Sequence, residues 1–95
     1  MPEDYPEKVT LRYPPKLAEG PLTVLALRRP TAGDVIYMGK LDQSGAYEVD
    51  VEMASRLSNY PREIIEQIDY RDFTEVQEAL SGFFDLGRNK SAAGS

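Results

Sequence analysis

Proline sets the first limit on how this chain folds. Six of its seven prolines fall within the first thirty residues, and the seventh is Pro61. A proline inside a helix removes a backbone donor and clashes with the preceding turn, so this first third cannot hold a long helix. It can hold two short strands. Lys8-Val9-Thr10-Leu11-Arg12-Tyr13 alternates polar and apolar residues, the pattern of a half-buried strand with Val9, Leu11 and Tyr13 on one face. Pro14-Pro15 stops it, and Glu19-Gly20-Pro21 is a turn signal. Leu22-Thr23-Val24-Leu25-Ala26-Leu27-Arg28 reads as a second strand, with Leu22, Val24 and Ala26 competing with Leu25 and Leu27 for the buried face. A connection of roughly seven or eight residues suits an antiparallel pair. Two strands alone are marginal in water, so helices must cover one face.

The helices begin after Pro30. Thr31 is placed to cap a helix with Asp34 at its third position, turning Val35, Ile36 and Leu41 inward. Gly39 limits that helix to about two or three turns. Gln43-Ser44-Gly45 separates it from the next segment, where Val49, Met53 and Leu57 recur every four residues beside Ala46 and Ala54. That is the stripe of an amphipathic helix, although Tyr47, Val49, Val51 and Met53 also alternate as a strand would. Asn59-Tyr60-Pro61 breaks the chain, Pro61 suits a first helical position, and a short turn carries Ile64, Ile65 and Ile68. Asp69 caps the last helix with Asp72 as its partner carboxylate. Phe73, Val76, Leu80, Phe83 and Phe84 form its apolar face, and Gly87 is its expected C-terminal cap. The expected architecture is α+β, an N-terminal two-stranded antiparallel β-hairpin followed by about four short helices. Residues 1–7 are expected to be a flexible arm, residues 8–86 a single domain, and residues 87–95 a flexible tail.

Ninety-five residues suffice for one small core. The sequence has no cysteine and no histidine, which removes disulfides, thiolate nucleophiles, the common zinc ligands and the usual general base. Carboxylate pairs would need a cleft that shifts their pKa values, and so small a chain leaves little room for one beside a core. The glycines of residues 33–45 lack phosphate-loop spacing, and Asp42, Glu48 and Asp50 lack calcium-loop spacing. The expectation is a protein without catalytic, cofactor-binding or metal-binding residues. The net charge is −5, and residues 61–86 hold seven acids against two bases. A nucleic-acid binder needs a basic face, so direct nucleic-acid binding is disfavoured. No apolar stretch approaches the roughly 18 residues of a membrane span, and the acidic, proline-bearing N-terminus is unlike a signal peptide.

Three features point toward a partner. Arg28-Arg29, at the end of the second strand, can grip carboxylates in two-pronged fashion, or be paired with this domain's own acids. The acids of residues 61–86 can dock a basic segment, or be the solvent face of two helices. The aromatic pair Phe83-Phe84 can complete the core, or line a surface with Val76 and Leu80 that holds a client helix or a second copy.

The order of these pieces carries a resemblance. Val9-Thr10-Leu11-Arg12-Tyr13-Pro14 is followed by Leu22 to Asp34 with its Leu27-Arg28-Arg29-Pro30 strand end. Then come Leu57-Ser58-Asn59-Tyr60-Pro61, Ile64-Ile65-Glu66-Gln67-Ile68-Asp69-Tyr70-Arg71-Asp72-Phe73, and a final helix. This sequence resembles the tail assembly chaperones of tailed bacteriophages, those of Mu-like and related contractile-tailed phages and prophages especially, over residues 8–86. The resemblance implies a non-enzymatic protein of the host cytoplasm, absent from the mature virion. It would coat the tape measure protein and keep it soluble until the tail tube polymerises. It also implies, as further partners, a longer frameshift form of the same protein and the tail tube protein; a homo-oligomer through the Val76, Leu80, Phe83 and Phe84 face is a separate expectation. The other readings are a structural tail or baseplate-type subunit, a small cytoplasmic adaptor, and, last, a carboxylate enzyme.

Overall fold

A computed structural model describes the backbone of residues 5–41 and 45–94, and the side chains of those residues except Ala46 and residues 84–94. The fold is α+β. Strand β1 (Glu7–Thr10) pairs antiparallel with β4 (Val24–Leu27), Val9 lying opposite Leu25 and Thr10 opposite Val24. Between them the proline-rich connection makes a small hairpin of its own, β2 (Lys16–Leu17) and β3 (Gly20–Pro21). Gly20 has φ of 130°, a conformation that favours glycine, and it lets so short a turn close. Four helices follow, α1 (Ala32–Lys40), α2 (Ala46–Ser58), α3 (Arg62–Ile65) and α4 (Tyr70–Gly94). The hairpin expected from the sequence is thus present, with a second sheet in its connection.

The competition for the buried strand face is decided in favour of Leu25 and Leu27, both fully buried with Val9 against α2 and α4. Leu22 is buried too, because it lies before β4 and its amide bonds to the Pro15 carbonyl at 2.9 Å. The helices close over this face with Met53, Ala54 and Leu57 from α2, Ile65 and Ile68 around α3, and Phe73, Val76 and Leu80 from α4. Asn59 ends α2 in the left-handed conformation, φ 65°, its amide bonded to the Ser55 carbonyl. Asp69 caps α4 as expected, accepting from the Arg71 amide at 2.9 Å.

Four expectations are corrected. Tyr13 does not share the face of Val9 and Leu11 but is exposed, because β1 ends at Thr10 and the chain turns beyond Leu11. Asp72 does not reach back to Asp69. It is 1% exposed and accepts instead from the amides of Arg12 and Tyr13 at 3.0 and 2.8 Å. Val35 and Ile36 face solvent, and Tyr37, Met38 and Leu41 form the half-buried side of α1. Pro61 lies before α3 as its cap, not as its first residue. The last helix is also longer than expected, since its backbone continues through Gly87 to Gly94. One helical glycine costs only about 1 kcal/mol, and no proline follows it. Residues 1–4 of the arm, Asp42-Gln43-Ser44 and Ser95 lie outside the described residues.

Asp72 is therefore the clasp between the end of the first strand and the first turn of α4. Its two charge-assisted bonds leave two donors without acceptors when the carboxylate is removed. Asp72→Ala is expected to lower stability by about 2–3 kcal/mol. The change should appear in urea as a lower midpoint with an unchanged slope. A midpoint equal to wild type would show that water replaces both bonds.

Candidate functional site

The sequence nominates Arg28, Arg29, Val76, Leu80, Phe83 and Phe84, and the structure separates them into three environments. Arg28 is paired within its own domain. It emerges from β4 just where its own amide bonds to the Leu57 carbonyl at 3.0 Å, fixing the strand end to the end of α2. Its guanidinium then forks onto Asp34, with Nη1 2.7 Å from Oδ2 and Nη2 3.1 Å from Oδ1.

Asp34 is 1% exposed, and its carboxylate accepts from Arg28, Thr31 and Arg56. Thr31 is the N-cap of α1, as expected, and its amide donates to Oδ2 at 2.7 Å while its hydroxyl accepts from the Asp34 amide at 3.3 Å. Arg56, from α2, donates Nε to Oδ1 at 2.6 Å and stacks over the Tyr37 ring 4.4 Å from its centroid. The Arg28 hydrogen bonds, with those of Thr31 and Arg56, hold the Asp34 carboxyl far below the usual carboxylate range against the opposing cost of burial. The same bond raises Arg28 above the ordinary arginine value. This cluster is a joint, and its charges already have partners.

A second cation hub lies on the helices. Arg62 donates to Glu48 and Glu52, both at 2.5 Å, and to Glu66 at 2.6 Å. Glu66, Glu48 and Glu52 raise Arg62, while Glu52 is lowered chiefly by Arg62. The Glu52 hydrogen bond also raises the Tyr37 phenol, tying this hub to the Arg56 ring stack. Water screens these exposed charges, so they contribute little to stability. Several acids of residues 61–86 are accordingly surface groups, among them Glu63, Glu66, Glu75 and Glu78.

Val76 and Leu80 belong to the core, with 0% and 3% exposure, so they do not line an open groove in this fold. Phe83, one turn beyond Leu80, is half-buried and packed against that core. The side chain of Phe84 lies outside the described residues. Phe83 instead forms the floor of a shallow cleft of about 320 Å³ between the start of β1 and α4, lined also by Pro6, Glu7, Arg29, Glu78, Ala79 and Gly82. Arg29 is exposed at this rim, so the cleft brings together two of the six nominated residues. A Cβ built on Gly82 meets nothing within 4 Å, so the cleft has room above the helix backbone. A second, more open depression continues from it along β1 and α4, sharing Glu7, Glu78 and Ala79 and reaching Thr10 and Thr74.

The sequence reading missed the Glu7, Ala79 and Gly82 contributions to this cleft. The local signal was Gly82 itself, a helix-weakening residue in the middle of an amphipathic stripe. Exposed apolar groups also occur elsewhere, as Val35 and Ile36 on α1 and as Tyr13, Tyr47 and Tyr70. Among the described residues no group of three acidic, histidine or cysteine side chains is arranged to hold a metal ion. No described helix is long and apolar enough to cross a membrane.

The sequence model of one family, described as "Phage tail assembly chaperone proteins, E, or 41 or 14", matches residues 8–85. The chain belongs to the phage tail assembly chaperones. The match runs from β1 into α4 and so takes in both walls of the cleft, apart from Pro6 and Glu7. Comparison with curated proteins and with solved structures gave no match. A tail assembly chaperone has a role in building the phage tail through interaction with tail proteins, and the family suggests a non-enzymatic role.

The Asp34 joint has a definite pH signature. Because its folded-state pKa is depressed, its stabilisation is complete above the unfolded value near 4 and is lost as pH falls toward the folded value. Both arginines remain partly open to water, so Asp34→Asn should cost about 1–3 kcal/mol near neutral pH. Urea titrations of the two proteins should converge as the pH is lowered from about 5 to about 2. A gap that stays constant across that range would show that the Asp34 charge does not act in this way.

Proposed function

We propose that this tail assembly chaperone binds the tape measure protein in the host cytoplasm, keeps it soluble until the tail tube polymerises, and leaves before the virion is complete. The family match over residues 8–85 is the observation that carries the reading. The cleft beside Phe83 supplies a physical means. It offers an apolar floor from Phe83, Ala79 and Gly82 and a charged rim from Glu7, Glu78 and Arg29. A site of this size takes one or two client side chains, and its grip is correspondingly weak. Many weak copies along one long client give high overall avidity while each copy remains releasable. Assembly requires both properties, since the coat must hold the client and must then come off. The longer frameshift form and the tail tube protein are the further partners proposed.

Co-expression with the tape measure protein tests the reading. The client should be recovered soluble, with the chaperone in excess copies, and should sediment when expressed alone. The chaperone should be absent from purified virions, whereas a structural tail subunit would be retained there. An insoluble client in the presence of folded chaperone would overturn the reading. Gly82→Lys sharpens the test, because the open space at position 82 accepts a side chain. That variant should be more stable than wild type by about 0.5–1 kcal/mol, since lysine is the better helix former. It should nevertheless recover less client, because its side chain fills the cleft. Undiminished recovery by Gly82→Lys would place the client on another face.

A further inference from the structure

The small sheet has an unused edge. Val9 lies opposite Leu25, and the Leu11 amide donates to the Thr23 carbonyl at 2.8 Å, so Glu7, Val9 and Leu11 direct their backbone groups at β4. The amides and carbonyls of Lys8 and Thr10 consequently point the other way, and among the described residues no hydrogen bond reaches them. This edge opens onto the depression of about 770 Å³ between β1 and α4, whose far wall is Thr74, Glu75 and Glu78. A row of backbone donors and acceptors at strand spacing beside an open groove is a template for an added strand.

We infer that β1 takes up an extended segment of a client protein as a third strand, one carrying lysine or arginine at alternate positions. The inference rests on the chaperone reading and names the contact it uses. Charge complementarity selects the occupant. Side chains of an added strand alternate between the solvent face and the α4 face. Those on the α4 face meet Glu75 and Glu78, so basic residues are favoured there and acidic ones repelled. A second copy of this chain is disfavoured by the same groups. Pairing β1 with its own equivalent would bring the Glu75 and Glu78 pairs of the two copies together. Lys8 adds to this, since a lysine on an exposed edge opposes indiscriminate strand pairing.

Thr10→Pro tests the edge directly. The Thr10 amide points away from β4, so proline there blocks an added strand without removing a bond of the existing pair. With the full chain and the co-expressed tape measure protein, Thr10→Pro should weaken client binding about three- to tenfold, the effect of losing one backbone bond. The double variant Glu75→Lys/Glu78→Lys leaves the edge intact and should weaken binding at least as much. In wild type, the Lys8 and Thr10 amides should exchange quickly with solvent when free and slowly in the complex. That last measurement decides the matter even if Thr10→Pro fails to fold. Soluble client with wild type, together with rapid exchange at both amides in the complex, would overturn the inference and leave the chaperone reading standing. Client that wild type does not bind at all would fail the chaperone reading, and the inference with it. A wild-type dimer that Thr10→Pro dissociates would show a second copy on the edge and would also overturn it.

Discussion

One buried carboxylate joins the parts of this domain that hydrophobic burial alone would leave loosely related. Asp34 accepts from Arg28 at the end of β4, from Thr31 at the start of α1 and from Arg56 in α2. A two-stranded sheet buries one face only, and its orientation on the helices is weakly specified by apolar contact. A charge removed from water is tolerable only when its acceptors are filled, which demands that all three elements arrive in one arrangement. Among the described residues no buried side-chain polar atom lacks a hydrogen-bond partner. Asp72 repeats the device at the other end of the strand pair, where α4 meets the amides of Arg12 and Tyr13. The two carboxylates fix the sheet against the helix layer, and the cleft between β1 and α4 inherits its shape from them.

What could be read in the sequence was local. The strand alternation of Val9 and Leu11, the stripe of Met53 and Leu57, and the caps at Thr31 and Asp69 each depend on residues a few positions apart, and each has its place in the structure. Two of the errors share a cause in tertiary contact. Asp72 has the spacing of a capping partner but is taken by amides about sixty residues away. Val35 and Ile36 are the most apolar residues of α1, yet the helix turns Tyr37 and Met38 inward, where Tyr37 meets Glu52 and Arg56. The bidentate reach of Arg28 was legible as chemistry and ambiguous as to partner, and its own domain supplies the acid. Of the nominated surface, Val76 and Leu80 were needed for the core, as a domain this small requires.

In so short a chain, core and surface compete for the large apolar residues. Among the described residues the core takes many of the large apolar side chains, and apolar surface remains at the β1–α4 cleft, on the outer face of α1 and at the exposed tyrosines. Of these, the cleft combines an apolar floor with a charged rim, and the depression that continues from it carries the Lys8 and Thr10 backbone edge of β1.

The most direct test of this account is site-specific photo-crosslinking from position 78, on the rim of the cleft, with position 36 on the outer face of α1 as reference. Both side chains are exposed, so either accepts a photoreactive residue without disturbing the core. In cells that co-express the tape measure protein, an adduct with that client is expected from position 78 and none from position 36. An adduct from position 36 alone would contradict it, and would move the client to α1.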